Sequence, residues 1–322
     1  MRKNCFSTMQ IEKSESLAIS YLRVIALLSI VSCHFLQAKD NRWAWVLNIG
    51  VQVFFFISGY LYGHKEIVNW ITWYKMRIWK VYFPFIIMTS ISLGSLFLIS
   101  GIVVSKWNIL AYITNTQWFM GGVKGLGHLW FITAIMVCYL TTPLLHSLKS
   151  VPLAIIILLF TFSLYELLIM RYDVKMFIPV FIYSFGYFFG RLTKRQKIIL
   201  TAVMLVMSIV VLYYLTWSHI LVYDGIMNQL FHTYVGIAIS ILIITFIWNY
   251  LRIKTIPRLI KNLDDYSYEI YLIHHPLILG PLSIMTFTEN LVLNIAIILL
   301  ITGIGAFGLK IGCSRLQTFI NL

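Results

Sequence analysis

The sequence predicts an all-α integral membrane protein, a bundle of about ten transmembrane helices with both termini in the cytoplasm. Three observations predict it. Of the 322 residues, 60% are hydrophobic and only 11% are charged, against about 25% charged in a soluble globular chain. Apolar runs near the roughly 20 residues that cross a hydrocarbon core recur along the chain. Finally, 18 of the 25 Lys and Arg fall in alternate connecting segments and 6 in the others, the bias that marks cytoplasmic loops.

Residues 1–16 are polar and read as a cytoplasmic N-terminal segment. The apolar run at 17–36 is too long for a signal-peptide core, and no small-residue cleavage site follows it, so it reads as a retained first helix over 17–37. Further spans are placed at 45–63, 82–104, 127–146, 151–170, 175–191, 197–217, 229–250, 266–287 and 290–310. Together, 17–310 form one transmembrane domain, and 311–322 a cytoplasmic tail. No connecting loop is long enough to hold a fused extracytoplasmic domain. Gly186 and Gly190 form a G-x-x-x-G in the sixth span, a signal for close helix packing.

The net charge is +14. Basicity of this size can signal nucleic-acid binding. Here the cations sit in short clusters between apolar spans, so topology and attraction to anionic headgroups or phosphate-bearing substrates explain them. No nucleic-acid partner is expected. Cys5, Cys33, Cys138 and Cys313 are widely spaced, which predicts neither a disulfide framework nor a zinc site.

Charged and titratable groups inside a bilayer are costly and mark function. Arg23 lies about six residues into the first span, and His34 follows eleven residues later. Eleven residues at about 100° each return to nearly the same face, roughly 16 Å along the axis. Taken singly, Arg23 snorkels to the headgroups and His34 hydrogen-bonds a neighbouring helix; the shared face favours a ligand that touches both.

Three further segments stand out. The run 73–84, WYKMRIWKVYFP, carries Arg77 and Lys80. It reads as a positive-inside anchor with an aromatic belt or as a phosphate clamp. The run 127–132, GHLWFI, holds His128 beside Trp130, ordinary for an interface and also suited to an acceptor site. The run 266–277, YSYEIYLIHHPL, places Glu269, His274 and His275 early in a span. Adjacent histidines project about 100° apart on a helix, so no metal site is expected there. Glu166 reads as an interfacial residue of the fifth span.

In order along the chain, these segments resemble the membrane acyltransferase-3 family, multi-span bacterial proteins that O-acylate surface carbohydrates. Arg23 and His34 in YLRVIALLSIVSCH match the family's opening Arg, ten residues, then His. FFFISGYL, with Phe54, Phe55, Ser58, Gly59 and Tyr60, matches its FF-x-x-SG run. MRIWKVYFP resembles its R-x-x-R-x-x-P, with Lys80 for the second Arg and Pro84 one residue late. HLWF and SYEIYLIHHPL also look like family segments, and Gln52 stands where many members have Asp. No SGNH-type domain is fused, so the chain resembles the stand-alone members.

The resemblance implies an O-acyltransferase of the bacterial cytoplasmic membrane, with acetyl-CoA as donor substrate and no metal. It implies His34 and Arg23 as catalytic residues, His34 as the base, and Arg23, Arg77 and Lys80 on the donor's phosphates. His128, Trp130, Tyr271, His274 and Ser58 would line the substrate path. The acceptor would be a hydroxyl of a nascent or lipid-linked glycan such as O-antigen, capsule or exopolysaccharide. A transporter or flippase for glycans also fits a ten-helix bundle with buried charges, although few Gly- or Pro-broken helices recur in matching halves. A structural subunit of an export complex would tolerate loss of Arg23 and His34. Oligomeric state is not legible.

Overall fold

A computed structural model describes residues 6–7, 13–41, 43–168, 176–217, 226–246 and 255–319. The elements in chain order are β1 (Phe6–Ser7), α1 (Lys13–Gln37), α2 (Ala44–Leu47), α3 (Gly50–Gly63), β2 (Glu66–Ile67), α4 (Trp70–Arg77), a π-helical turn (Ile78–Tyr82), α5 (Phe83–Ser100), α6 (Lys106–Ile113) and α7 (Gln117–Met120). A 3-10 turn (Gly127–Leu129) leads into α8 (Trp130–Ser147). Then come α9 (Pro152–Leu168), α10 (Phe177–Phe189), α11 (Lys194–Trp217), α12 (Ile226–Phe246), α13 (Arg258–Asp265), α14 (Ser267–Ile278) and α15 (Leu291–Phe319). β1 and β2 pair antiparallel over two residues each.

Five of the described helical stretches are long and apolar enough to cross a bilayer: Glu15–Gln37, Ala44–Gly63, Trp70–Ser100, Gly127–Ser147 and Leu291–Phe319. They correspond to the expected spans at 17–37, 45–63, 82–104, 127–146 and 290–310. The expected spans at 151–170, 175–191, 197–217 and 229–250 each overlap a described helix. Arg2, Lys3, Cys5, Arg42, Arg171, Lys175, Arg252 and Lys254 lie outside the described residues.

The expected span 266–287 is corrected. Its helix, α14, has 12 residues and stops at Ile278, about 18 Å of rise. The sequence itself supplies the breakers. Gly280 adopts φ +95, a backbone region that a Cβ disfavours, and Pro281 follows at once. Residues 279–290 are then non-helical.

The chain divides into two compact units. The first comprises Met1–Cys33, Arg42–Trp70 and Ile135–Asp264. Its centre is the contact of α3 with α10. A Cβ on Gly59 would strike the Tyr183 carbonyl, one on Gly63 the Tyr187 carbonyl, and one on Gly186 the Phe56 carbonyl. A Cβ on Gly190 would strike the His64 ring. The G-x-x-x-G of α10 thus meets a second one, Gly59 and Gly63, on α3, and the two backbones touch. Phe55, Phe56, Phe181, Phe185 and Phe188 are buried around this seam.

Glu166 is corrected from interfacial to buried, at 3% exposure. Its carboxylate accepts from the backbone N–H of Met176, from Phe177 at 2.8 Å and from Ile178 at 3.3 Å. The first N–H groups of a helix have no partner within it, and a carboxylate there also complements the helix dipole. Glu166 is the cap of α10, reached from the preceding helix.

The second unit comprises His34–Asn41, Ile71–Ala134 and Asp265–Leu322. Here α14 packs on α15 and α5, and a Cβ on Gly305 of α15 would press on Ile273. The loop after α14 approaches Gly125 so closely that a Cβ on Gly280 would collide with its backbone. The Tyr268 hydroxyl donates to the Val81 carbonyl, which ties α14 to the π-helical turn.

Candidate active site

The second unit brings four imidazoles together. The His34 ring centroid lies 5.2 Å from that of His274 and 4.6 Å from that of His275. His128 stacks on His275 at 4.3 Å and lies 5.9 Å from His274. His128, His274 and His275 are buried. His34 and His275 come from opposite ends of the chain, so this cluster could not be read from spacing.

Local chemistry explains the cluster. Pro276 has no N–H, so within α14 the carbonyl of Leu272 loses its helical donor. His128 Nε2–H supplies the replacement at 3.3 Å. His275 Nδ1–H donates to the Gly125 carbonyl at 2.9 Å, and His274 Nδ1–H to the Ile270 carbonyl at 2.9 Å. The Tyr271 hydroxyl donates to the His128 carbonyl, which closes the link between the 3-10 turn and α14.

These partners set the tautomers, because a carbonyl only accepts. The lone pairs therefore sit on His128 Nδ1, His274 Nε2 and His275 Nε2. Two of these, His128 Nδ1 and His274 Nε2, are buried with no hydrogen-bond partner among the described residues. A buried acceptor left without a donor is costly, so both suit a ligand that brings N–H or O–H groups.

His34 is held differently. Its Nδ1 lies 2.7 Å from Gln37 Oε1, one helical turn on. With the amide oxygen accepting, the Nδ1 carries the proton and Nε2 carries the lone pair. Among the described residues, no group of three or more His, Cys, Asp and Glu is placed to hold a metal ion.

Arg23 belongs to the first unit. Its Nε lies 2.8 Å from Asp264 Oδ1 and its Nη2 donates to Asp264 Oδ2 at 2.9 Å. This fork-to-fork pair is the geometry that guanidinium and carboxylate favour. Asp264 is buried while a third of the Arg23 side chain is exposed. Arg23 and Asp264 are 241 residues apart in sequence, so the partner could not be anticipated.

Arg77 ends α4, and Lys80 is exposed on the π-helical turn. Trp130, at the start of α8, packs on Trp118 of α7 with centroids 5.2 Å apart. Ser58 is half-buried on α3 in the first unit.

Comparison with known families decides the membership. The acyltransferase-domain model of the acyltransferase-3 type matches residues 16–311. The chain belongs to the acyltransferase-3 family. No curated protein and no solved structure matches. As an acyltransferase with several apolar helices, the protein is a multi-pass membrane enzyme.

Family membership gives the π-helical turn a meaning. In this acyltransferase, Pro84 comes one residue later than the family's R-x-x-R-x-x-P spacing. A π-bulge is how a helix absorbs one extra residue without breaking. The turn Ile78–Tyr82 lies between Arg77 and Pro84, and Pro84 still stands in the first turn of α5, where its missing N–H costs nothing.

Proposed function

We propose that the protein is an O-acyltransferase that moves an acetyl group from acetyl-CoA to a hydroxyl of a surface or lipid-linked polysaccharide, such as O-antigen, capsule or exopolysaccharide. It works in the bacterial cytoplasmic membrane, with its N-terminus inside. The observation that carries the reading is the His34–Gln37 pair, 2.7 Å long, which leaves Nε2 as a base in a membrane enzyme of acyltransferase type.

His34 Nε2 takes the proton of the acceptor hydroxyl as its oxygen attacks the thioester carbonyl. The C–O bond forms, the C–S bond breaks, and the proton passes from His34 to the departing thiolate, giving free CoA. His128 Nδ1 and His274 Nε2 accept from the donor's amide N–H groups or the acceptor's hydroxyls. Arg23 keeps Nη1 for the donor's phosphates, since Asp264 occupies Nε and Nη2. Within the second unit, Arg77 and Lys80 are further candidate cations for the donor and Trp130 and Tyr271 for the substrate path; Ser58 is a separate candidate on α3.

The test is the O-acetyl content of surface polysaccharide, read by proton NMR. A deletion strain is complemented with wild type, Arg23→Ala or His34→Ala, with expression of each checked. Acetyl signals vanish on deletion, return with wild type and fail to return with either variant. Unchanged acetyl content together with reduced glycan export would replace this reading with a transporter.

A further inference from the structure

The non-helical stretch after α14, residues 279–290, whose first part lay in the expected span 266–287, is built rather than slack. One side chain organises it. Asn294, 1% exposed in the first turn of α15, donates to the carbonyls of Met285 at 3.0 Å and Thr288 at 2.8 Å. Its oxygen accepts from the Thr288 backbone N–H at 3.0 Å and hydroxyl at 2.8 Å. The other end is held by Ser283, whose hydroxyl donates to the Ile278 carbonyl at 2.6 Å. Ser100 on α5 donates to the Pro281 carbonyl at 3.3 Å.

This held loop, with Lys39 and the first turn of α15, walls a cleft of about 340 Å³, within the size range of small-ligand sites. Its rim carries Thr286, Phe287 and Glu289, all exposed. Phe287 is 74% exposed on a loop too tightly bonded to tuck it away. An exposed aromatic face, a hydroxyl, a carboxylate and an ammonium are the mixture that suits a sugar: C–H faces on the ring, hydroxyls on Thr286 and Glu289. Lys39 adds a donor for an acidic group or a ring hydroxyl. Lys39 lies five residues after His34, just past the end of the same helix, and the loop begins where the helix of His274 and His275 ends. Irregular backbone in a membrane protein is tolerated where it lines a cavity.

We infer that this cleft, walled by Lys39 and residues 285–294, is the docking site for the glycan acceptor. The inference rests on the proposed acyltransfer for the identity of its ligand.

The experiment measures binding apart from turnover. Purified His34→Ala protein is titrated with alkali-treated, de-O-acylated surface polysaccharide from the strain that carries the gene. On that background, Phe287→Ala and Lys39→Ala each raise the Kd about tenfold. Phe287→Tyr keeps the affinity, and Phe97→Ala, an exposed aromatic elsewhere in the unit, leaves it unchanged. An unchanged Kd in both alanine variants overturns the inference. Consumption of acetyl-CoA by the wild type is followed in parallel. Cleft-dependent glycan binding without that consumption keeps the cleft and removes the acyltransfer reading.

Discussion

Arg23 and His34 stand on one helix, but their surroundings give them different tasks. The Arg23 guanidinium is half engaged by Asp264. In a double-mutant cycle of Arg23→Ala and Asp264→Ala, thermal melting in detergent is expected to show coupling of about 1–3 kcal/mol, reduced by the exposure of the arginine. Additive losses would mean that the pair contributes nothing beyond its members. For His34, alanine is expected to cut transfer roughly 10²- to 10⁴-fold, the usual contribution of a general base. Gln37→Ala loses one orienting hydrogen bond worth about 1 kcal/mol, so a five- to tenfold drop in turnover is expected with folding intact. An unaffected Gln37→Ala enzyme would mean that the tautomer is set by something else. Arg23 and His34 were legible because each is out of place in an apolar helix. Asp264, Gln37 and the role of His275 were not, because ordinary polar residues gain meaning only from what folding sets beside them.

Pro276 shows how one residue shapes an element and then a site. Pro276→Ala restores an N–H that competes with His128 for the Leu272 carbonyl. A tenfold drop in transfer is expected, about the value of one hydrogen bond, with melting unchanged or raised. A drop in melting with turnover intact would make Pro276 a structural residue only. At the α3–α10 seam, Gly59→Ala places a methyl against the Tyr183 carbonyl. Overpacking of this kind costs about 1–3 kcal/mol, read as a lower melting temperature, whereas Ser58→Ala next to it leaves melting in place. Half of the seam was visible in sequence as Gly186 and Gly190. Of the other half, Gly59 was noticed only as part of the FF-x-x-SG match, and Gly63, just past that motif, was not singled out. The ninth expected span failed for a similar reason. Mean apolarity over 266–287 outweighed Gly280 and Pro281, and hydropathy does not distinguish a crossing helix from an apolar loop folded against protein.

For the molecule as a whole, the proposed cytoplasmic N-terminus makes a sharp prediction. With other cysteines removed, Lys39→Cys reacts with an impermeant maleimide applied to intact cells. Lys149→Cys reacts only after the membrane is opened. The reverse pattern would invert the topology and with it the side from which donor and acceptor arrive. The helical class and the family were legible because composition and motif order survive without any knowledge of contacts. The two-unit division was not, since each unit is assembled from three separate stretches of chain and sequence neighbours such as Cys33 and His34 fall in different ones.

Asn294 has a consequence for how such enzymes diversify. Because the loop takes its shape from one asparagine in the following helix and one serine near its start, residues 278–294 form a cassette that carries its own scaffold. The rim positions 286, 287 and 289 can change chemistry while the frame stays put. On the docking inferred above, an exchange of acceptor preference is expected to need the transplant of these seventeen consecutive residues. A graft that stops short of Asn294 would deliver the right side chains on a backbone that no longer presents them.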